Sequence, residues 1–256
     1  MVKKVYAIKE GYDFKKNEKV ENIIVDTWAE CLKCVKGVKG AVYKSFKDTN
    51  SALKYLRGKD KLLKKSDGSY PKDCLHVYVD GSYNISTEMY SYALVAVKKN
   101  VVYYIESDAH SCEEGKNIRQ ISGELKAAVR GVQYAISKGE KRVVLFHDYE
   151  GVCQHALGLW ERKEASSIKY YEEMNELMKN IEVIFVKVDS HTGDLFNELA
   201  DEKCKEKLQI QSEKTVERWL INNEIKTASA EVKNEILKIA SKGEKNIIVI
   251  DSAVMG

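Results

Sequence analysis

This chain has no run of about 18 uncharged apolar residues, and its basic start, Met1-Val-Lys-Lys, leads into no apolar stretch of the signal-peptide kind. A membrane span and a cleaved leader are therefore not expected, and the expected location is the cytoplasm. The six cysteines (Cys31, Cys34, Cys74, Cys112, Cys153 and Cys204) lack framework spacing, which argues against a disulfide-stapled secreted fold and suits a reducing compartment. The lone Cys31-Leu-Lys-Cys34 phrase has no second pair or histidine cluster near it, so a zinc ion would be two ligands short. It lies within an amphipathic helical pattern from Thr27 to Val38, whereas a redox pair belongs at a βα turn, so these thiols are expected to be structural. Proline occurs once, as Pro71, in a lysine-rich stretch that reads as a linker.

What is present describes a soluble globular chain of 256 residues, 44% hydrophobic and 32% charged. The net charge of +3 conceals an asymmetry: residues 1–65 hold 17 Lys/Arg against 8 Asp/Glu, a net of +9, which leaves −6 for the rest. A basic module joined to an acidic one suggests that the first grips a polyanion while the second holds cations, the alternative being a merely solvated lysine-rich surface.

Hydrophobic periodicity predicts a ββαβα unit over residues 1–56, with Thr27 capping a helix that carries Trp28, Cys31, Leu32 and Val35. Residues 57–73 are the expected basic linker. From 74 to 208 the order reads βββαβααβα, a mixed sheet flanked by helices. Residues 209–256 carry no motif; Glu213 to Ile225 and Ala230 to Ile239 look helical, and Asn246 to Ile250 reads as a short strand.

Four acids sit in distinct local phrases: Asp80 in Val-Asp-Gly-Ser-Tyr-Asn, Glu124 in Ser-Gly-Glu-Leu-Lys-Ala-Ala, Asp148 in Phe-His-Asp-Tyr-Glu-Gly, and Asp201 ending His191-Thr-Gly-Asp-Leu-Phe-Asn-Glu-Leu-Ala-Asp. Carboxylates at strand ends and helix starts can converge, and like charges so gathered are tolerable around cations. Each has a bland rival. Asp80 could be a turn residue, Glu124 a helix-dipole partner and Asp148 an N-cap, while Asp189 and Asp194 compete with Asp201. His147 reads as a strand-end residue rather than a ligand.

The order Asp, Glu, Asp, then His-Thr-Gly with an Asp ten residues after the His, resembles type 1 ribonuclease H. Tyr6-Ala-Ile-Lys-Glu-Gly, Thr27-Trp-Ala-Glu-Cys and Gly40-Ala-Val-Tyr-Lys-Ser-Phe46 resemble the small hybrid-binding, viroplasmin-like domain that often precedes it. The resemblance covers residues 1 to 208 and implies a mixed five-stranded sheet after a ββαβα module. It implies an endoribonuclease that cuts the RNA strand of RNA/DNA hybrids with two Mg²⁺ ions about 4 Å apart, Mn²⁺ substituting, and leaves 5′-phosphate and 3′-hydroxyl ends. No organic cofactor is implied.

By the same resemblance Asp80, Glu124, Asp148 and Asp201 are the metal ligands. His191 aids proton transfer and product departure, and Asn197 braces its loop. Gly81, Ser82, Asn84 and Gln120 meet the RNA minor groove and its 2′-hydroxyls. Trp28, Tyr43 and Lys44 contact the hybrid in the N-terminal module; Trp28 as a core residue is the alternative there. The chain departs from the family pattern at Gln120, where Asn is usual, at Ser45, where many relatives have a second Lys, and over Glu10 to Glu21, which replaces an arginine- and glycine-rich phrase. Two other functions stay open: a non-catalytic hybrid- or duplex-RNA-binding scaffold, and a DNA-directed nuclease of the same superfold.

Overall fold

The computed structural model describes residues 4–56, 63–111, 119–161, 164–189 and 193–250, the side chains of residues 50, 54 and 119–121 excepted. Its chain divides into two units, Met1–Lys61 and Leu62–Gly256. In the first, β1 (Val5–Asp13) and β2 (Glu18–Val25) form a hairpin, followed by α1 (Trp28–Val35), β3 (Val42–Phe46) and α2 (Thr49–Leu56). The antiparallel order is β2-β1-β3.

Side chains alternate between the two faces of a strand. Val5 and Ala7 therefore pack with Phe46 and with Ala52 of α2, while Ile8 packs with Cys31, Cys34 and Val35 of α1. Thr27 fixes the start of α1 through a capping box: its hydroxyl accepts the Glu30 N–H at 3.2 Å, and the Glu30 carboxylate accepts the Thr27 N–H at 3.1 Å. Burial raises the Cys31 and Cys34 thiols. This is the structural role expected of them.

The second unit is built on one sheet. Strand β4 (Leu63–Lys64) comes first, then β5 (Leu75–Asn84), β6 (Met89–Lys98), β7 (Val101–Ser111), α3 (Arg119–Ser137), β8 (Arg142–His147), α4 (Gly151–Ala156), α5 (Ala165–Leu177), β9 (Glu182–Lys187) and α6 (Leu195–Lys207). The chain ends with α7 (Thr215–Leu220), β10 (Ile225–Thr227), α8 (Ala230–Leu237) and β11 (Ile247–Val249). Strand order is β11-β10-β7-β6-β5-β8-β9-β4. Helices α3, α4 and α5 cover one face, where Val77, Val79 and Leu145 meet Leu125, Val152 and Met174. The other face carries α6, α7 and α8, where Val95, Val144 and Phe146 meet Leu199, Val216 and Ile236. Each such buried aliphatic side chain stabilises the fold by about 1.5–3 kcal/mol. The central strands are thereby rigid enough to hold charged groups at their ends.

The mixed, helix-flanked sheet is the one expected, but with eight strands where five were foreseen. Within the expected linker, residues 57–62 lie outside the described residues, and Leu63–Lys64 form an edge strand of the sheet. Leu63 pairs with Val186 in parallel register, Tyr70 packs edge-on to Phe146, and Lys65 donates to the Tyr78 hydroxyl at 2.7 Å and forms an ion pair with Asp194. A lysine-rich composition hid this because the Lys65 ammonium lies over the Tyr78 ring, 4.5 Å from its centroid. The expected helix from Glu213 to Ile225 is also shorter. It ends at Leu220, and Ile225 opens β10, which adds in parallel to β7. Among the described residues no helix is long and apolar enough to cross a membrane.

Candidate active site

Parallel register sets Tyr78 of β5 beside Phe146 of β8, and their rings stack with centroids 4.4 Å apart. Two residues further along come Asp80, on the same face of β5 as Tyr78 by the two-residue period, and Asp148, one residue past the end of β8. Glu124 enters from α3. Asp80, Glu124 and Asp148 each offer an oxygen, and these atoms all lie within 4.8 Å of one another. Asp80 is 6% exposed and Glu124 3%.

Two glycines let α3 come this close. A Cβ on Gly81 would stand 2.3 Å from the Glu124 nitrogen, and one on Gly123 would stand 2.2 Å from the Ser91 carbonyl oxygen. The close approach expected of a ligand at Gly81 is made instead by the backbone of α3, so this buried glycine serves to seat Glu124 beside Asp80. Gly123 was not singled out in the sequence. The signal was available in Gly123, Ala127 and Gly131, small residues at a spacing of four along one helix face.

Burial drives the Asp80 carboxyl well above the usual carboxylate range, and the charges of Asp148 and Asp201 push it further. Glu124 is raised in the same way, first by burial and then by Asp80 and Asp148. The Gly81 N–H favours the charged form of both acids but does not offset these effects. One Glu124 oxygen, Oε2, is buried without a hydrogen-bond partner. Mutually repelling carboxylates with an orphaned lone pair fit a divalent cation that takes oxygen ligands.

Asp201 lies on α6, and its charge reaches Asp80, but it stands outside the 4.8 Å set and accepts a hydrogen bond from Lys205 at 2.7 Å. Lys205 went unnoticed in the sequence, although Asp201 and Lys205 have the i,i+4 spacing of a helical ion pair. Of the rivals, Asp194 is the N-cap of α6 and accepts from the Asn197 N–H. Asp148 is no N-cap, because Glu150 occupies that position for α4. His147 is fully buried, donates from Nδ1 to the Tyr149 carbonyl at 2.8 Å and is pushed down to about 4 by burial, as befits a neutral strand-end residue.

The remaining expected residues separate. Asn84 accepts from the Ser86 and Thr87 N–H groups and donates to the Leu208 carbonyl, so its side chain closes the β5–β6 turn. Ser82 lies half-buried on β5. Asn197 is buried with its Oδ1 unpartnered. His191 lies outside the described residues. Gln120 falls in the first turn of α3 with its side chain likewise undescribed. In the first unit Trp28 is 44% exposed and Tyr43 43%, with ring centroids 5.9 Å apart, so Trp28 is not a core residue. Lys44 is half-buried, its ammonium 5.8 Å from the centre of the Phe46 ring.

A mixed sheet with one buried acid inside a central strand, a second acid just past the end of the parallel strand beside it and a third on the covering helix defines a class, hydrolases whose acidic cluster could hold metal. The profile of the RNase H family matches residues 72–209, just over half of the chain, and that of the ribonuclease H1 N-terminal domain matches residues 4–56. The chain belongs to the ribonuclease H family and is a hydrolase of that kind.

Among solved structures it is similar to RNase H1 from the halophilic archaeon Halobacterium salinarum, at 19% identity and a TM-score of 0.45, covering 53% of this chain and 97% of that one. The N-terminal RNase H domain of a Mycobacterium tuberculosis protein, solved as a fusion with maltose-binding protein, is 16% identical with a TM-score of 0.45, over 53% and 93%. LC11-RNase H1 in complex with an RNA/DNA hybrid is 15% identical with a TM-score of 0.44, over 52% and 99%. No curated protein sequence matches the chain.

Proposed function

We propose that the chain is an endoribonuclease that hydrolyses the RNA strand of RNA/DNA hybrids, leaving 5′-phosphate and 3′-hydroxyl ends. The observation that carries this reading is the convergence of Asp80, Glu124 and Asp148, whose oxygens all lie within 4.8 Å of one another and of which Asp80 and Glu124 are buried with raised carboxyls, a geometry that suits a shared cation. Asp80, Glu124, Asp148 and, from α6, Asp201 would hold two Mg²⁺ ions, with Mn²⁺ as a substitute. Such ions supply Lewis-acid stabilisation and an activated water in phosphodiester hydrolysis.

The chain's own residues do the rest. Sheet and helix pre-set the carboxylates, so little reorganisation accompanies reaction. His191 would move a proton at the leaving oxygen through its imidazole. The exposed rings of Trp28 and Tyr43, with Lys44, would grip the hybrid and raise its concentration at the tethered second unit. Five described cysteines, all buried as free thiols, support a reducing, cytoplasmic setting.

The test is cleavage of an end-labelled RNA/DNA hybrid in Mg²⁺ beside duplex RNA and duplex DNA, with Asp148→Asn as control. Cutting confined to the hybrid is expected. It should fall in the variant by at least about 10²–10³-fold, the scale for one directly acting electrostatic group. Hybrid binding without cutting would make the protein a scaffold. Equal cutting of duplex DNA would make it a DNA-directed nuclease of the same superfold.

A further inference from the structure

We propose that residues 210–250 form a positioning layer for Asp201, with Lys203 and Glu235 as its central pair; this rests on Asp201 being a metal ligand. The segment lies beyond the family match, which ends at residue 209. It is nonetheless joined to the same core: Val216, Leu220, Ile225, Val232, Ile236 and Ile247 share one cluster with Leu199 and Cys204 of α6. Strand β10 pairs with β7 and with β11, so the layer is anchored to the sheet that carries Asp80.

Three consecutive residues of α6 divide the work. Successive side chains on a helix point about 100° apart, so Asp201 can serve the acid cluster while Glu202 and Lys203 turn elsewhere. Glu202 accepts the N–H groups of Thr215 and Val216 at the start of α7, at 2.5 and 3.3 Å. Lys203 is wholly buried, a position a lysine holds only when paired. Its ammonium donates to Glu206 at 2.8 Å, to the Glu235 carboxylate at 3.0 Å and to the Glu235 carbonyl at 3.3 Å.

The inner side of α6 meets the sheet through the apolar side chains of Leu199 and Ala200 and through two hydrogen bonds at one residue, the Ser91 hydroxyl donating to the Cys204 carbonyl at 2.9 Å and the Cys204 thiol donating to the Asp80 carbonyl at 3.3 Å. Apolar contact is non-directional and tolerates small rotations and slides of a helix. A buried ammonium fixed by three acceptors does not. The inner bonds hold α6 at the single residue Cys204, and the outer polar bonds at Glu202 and Lys203 supply the second set of directional contacts that fixes its rotation, and with it the place of the Asp201 carboxylate relative to Asp80. Lys203 and Glu235 are positioning residues in this scheme, since neither belongs to the acid cluster.

The experiment uses the full chain with Glu235→Gln and, separately, Lys203→Met. Three quantities are read: Mg²⁺ affinity by calorimetry, the Mg²⁺ concentration for half-maximal hybrid cleavage, and hybrid affinity without divalent cation. Groups bonded directly to metal ligands alter metal affinity by about 10–100-fold, so a partner one step further out should raise the half-saturating Mg²⁺ by about 3–10-fold. Cleavage at saturating Mg²⁺ and hybrid affinity should stay near the parent values. Should Lys203→Met fail to fold, the milder Glu235→Gln carries the test.

A lower melting temperature with an unchanged Mg²⁺ midpoint in Glu235→Gln would overturn the proposal and leave a purely structural pair. If the parent protein binds Mg²⁺ in a Glu235-dependent way yet cuts no hybrid, the positioning stands and the proposed activity falls.

Discussion

In the N-terminal unit the informative side chains stand in water, Trp28 and Tyr43 being each close to half exposed, while the two cores of that unit are built from other residues. In the catalytic unit the two innermost acids, Asp80 and Glu124, are buried and are shifted toward their protonated forms by that burial. An exposed ring costs a fold little. A buried carboxylate costs it the hydration of a charge, which only a proton or a cation relieves. Binding and stability should therefore separate cleanly in the first unit and oppose each other in the second.

The largest test of that contrast is Asp80→Asn. Because the folded-state pKa of Asp80 lies above its unfolded value, the protonated acid is the form the fold favours. Its stabilising contribution is complete below the ordinary aspartate value of about 3.9 and is lost as pH rises through the folded value. The substitution removes that loss. Without divalent cation, Asp80→Asn should melt above the parent at neutral pH, by a margin that shrinks toward pH 4, while cleavage is abolished and Mg²⁺ no longer shifts the melting point. A variant less stable than the parent at neutral pH would mean that the cluster is relieved by something other than an added cation.

Trp28→Ala probes the other half. Stacking of one aromatic side chain on nucleic acid is worth about 1–3 kcal/mol, so hybrid affinity should fall on the order of 10-fold. Stability should move by less than about 0.5 kcal/mol, as at other surface positions. Cleavage of saturating hybrid should be unchanged. A large stability loss would place Trp28 among the groups that hold the unit together and dissolve the comparison.

How far the sequence foretold this arrangement depended on the length and the neighbours of each element. Apolar runs that lead into an acid, Leu75 to Val79 before Asp80 and Val143 to Phe146 shortly before Asp148, were legible because an unbroken apolar run followed by polar residues marks both the strand and the position of its charge. Ile225–Thr227 was not. Three residues carry no period, and its partner, Val101–Val102, lies more than a hundred positions away, so its first residue was absorbed into the helical pattern before it and the other two into no element. Lys65 was misread because composition distinguishes charged from apolar residues but not a solvated ammonium from one laid over a ring. At Gly81 the need for close approach was legible and the approaching group was not, since a missing side chain does not name what fills its place. The turn role of Asn84 was hidden for a related reason: the same amide can meet a ribose or close a turn, and the two N–H groups it serves, those of Ser86 and Thr87, are its own near neighbours.

The finest test of the comparison lies within the catalytic unit, at a buried carboxylate whose relief is already built in. Glu106 accepts from the Tyr92 and Tyr104 hydroxyls at 2.9 Å each and from the Arg130 guanidinium at 2.7 and 2.9 Å, tying β6 and β7 to α3. Burial alone would raise this carboxyl; Arg130 and the two hydroxyls outweigh it and hold it below the ordinary range. The sign is therefore opposite to that of Asp80. The contribution of Glu106 is present above the ordinary glutamate value of about 4.3 and disappears as pH falls through the lower folded value. Arg130 is 44% exposed, so solvent screening limits the charge effect to below about 1 kcal/mol. Glu106→Gln should lower the melting point by no more than about 4 °C at pH 7, with the difference closing in acid, where the margin of Asp80→Asn also closes from the other side. Parallel melting curves taken from pH 3 to 8 would read both slopes, and a Glu106→Gln deficit that stays constant with pH would assign the network to hydrogen-bond geometry rather than charge.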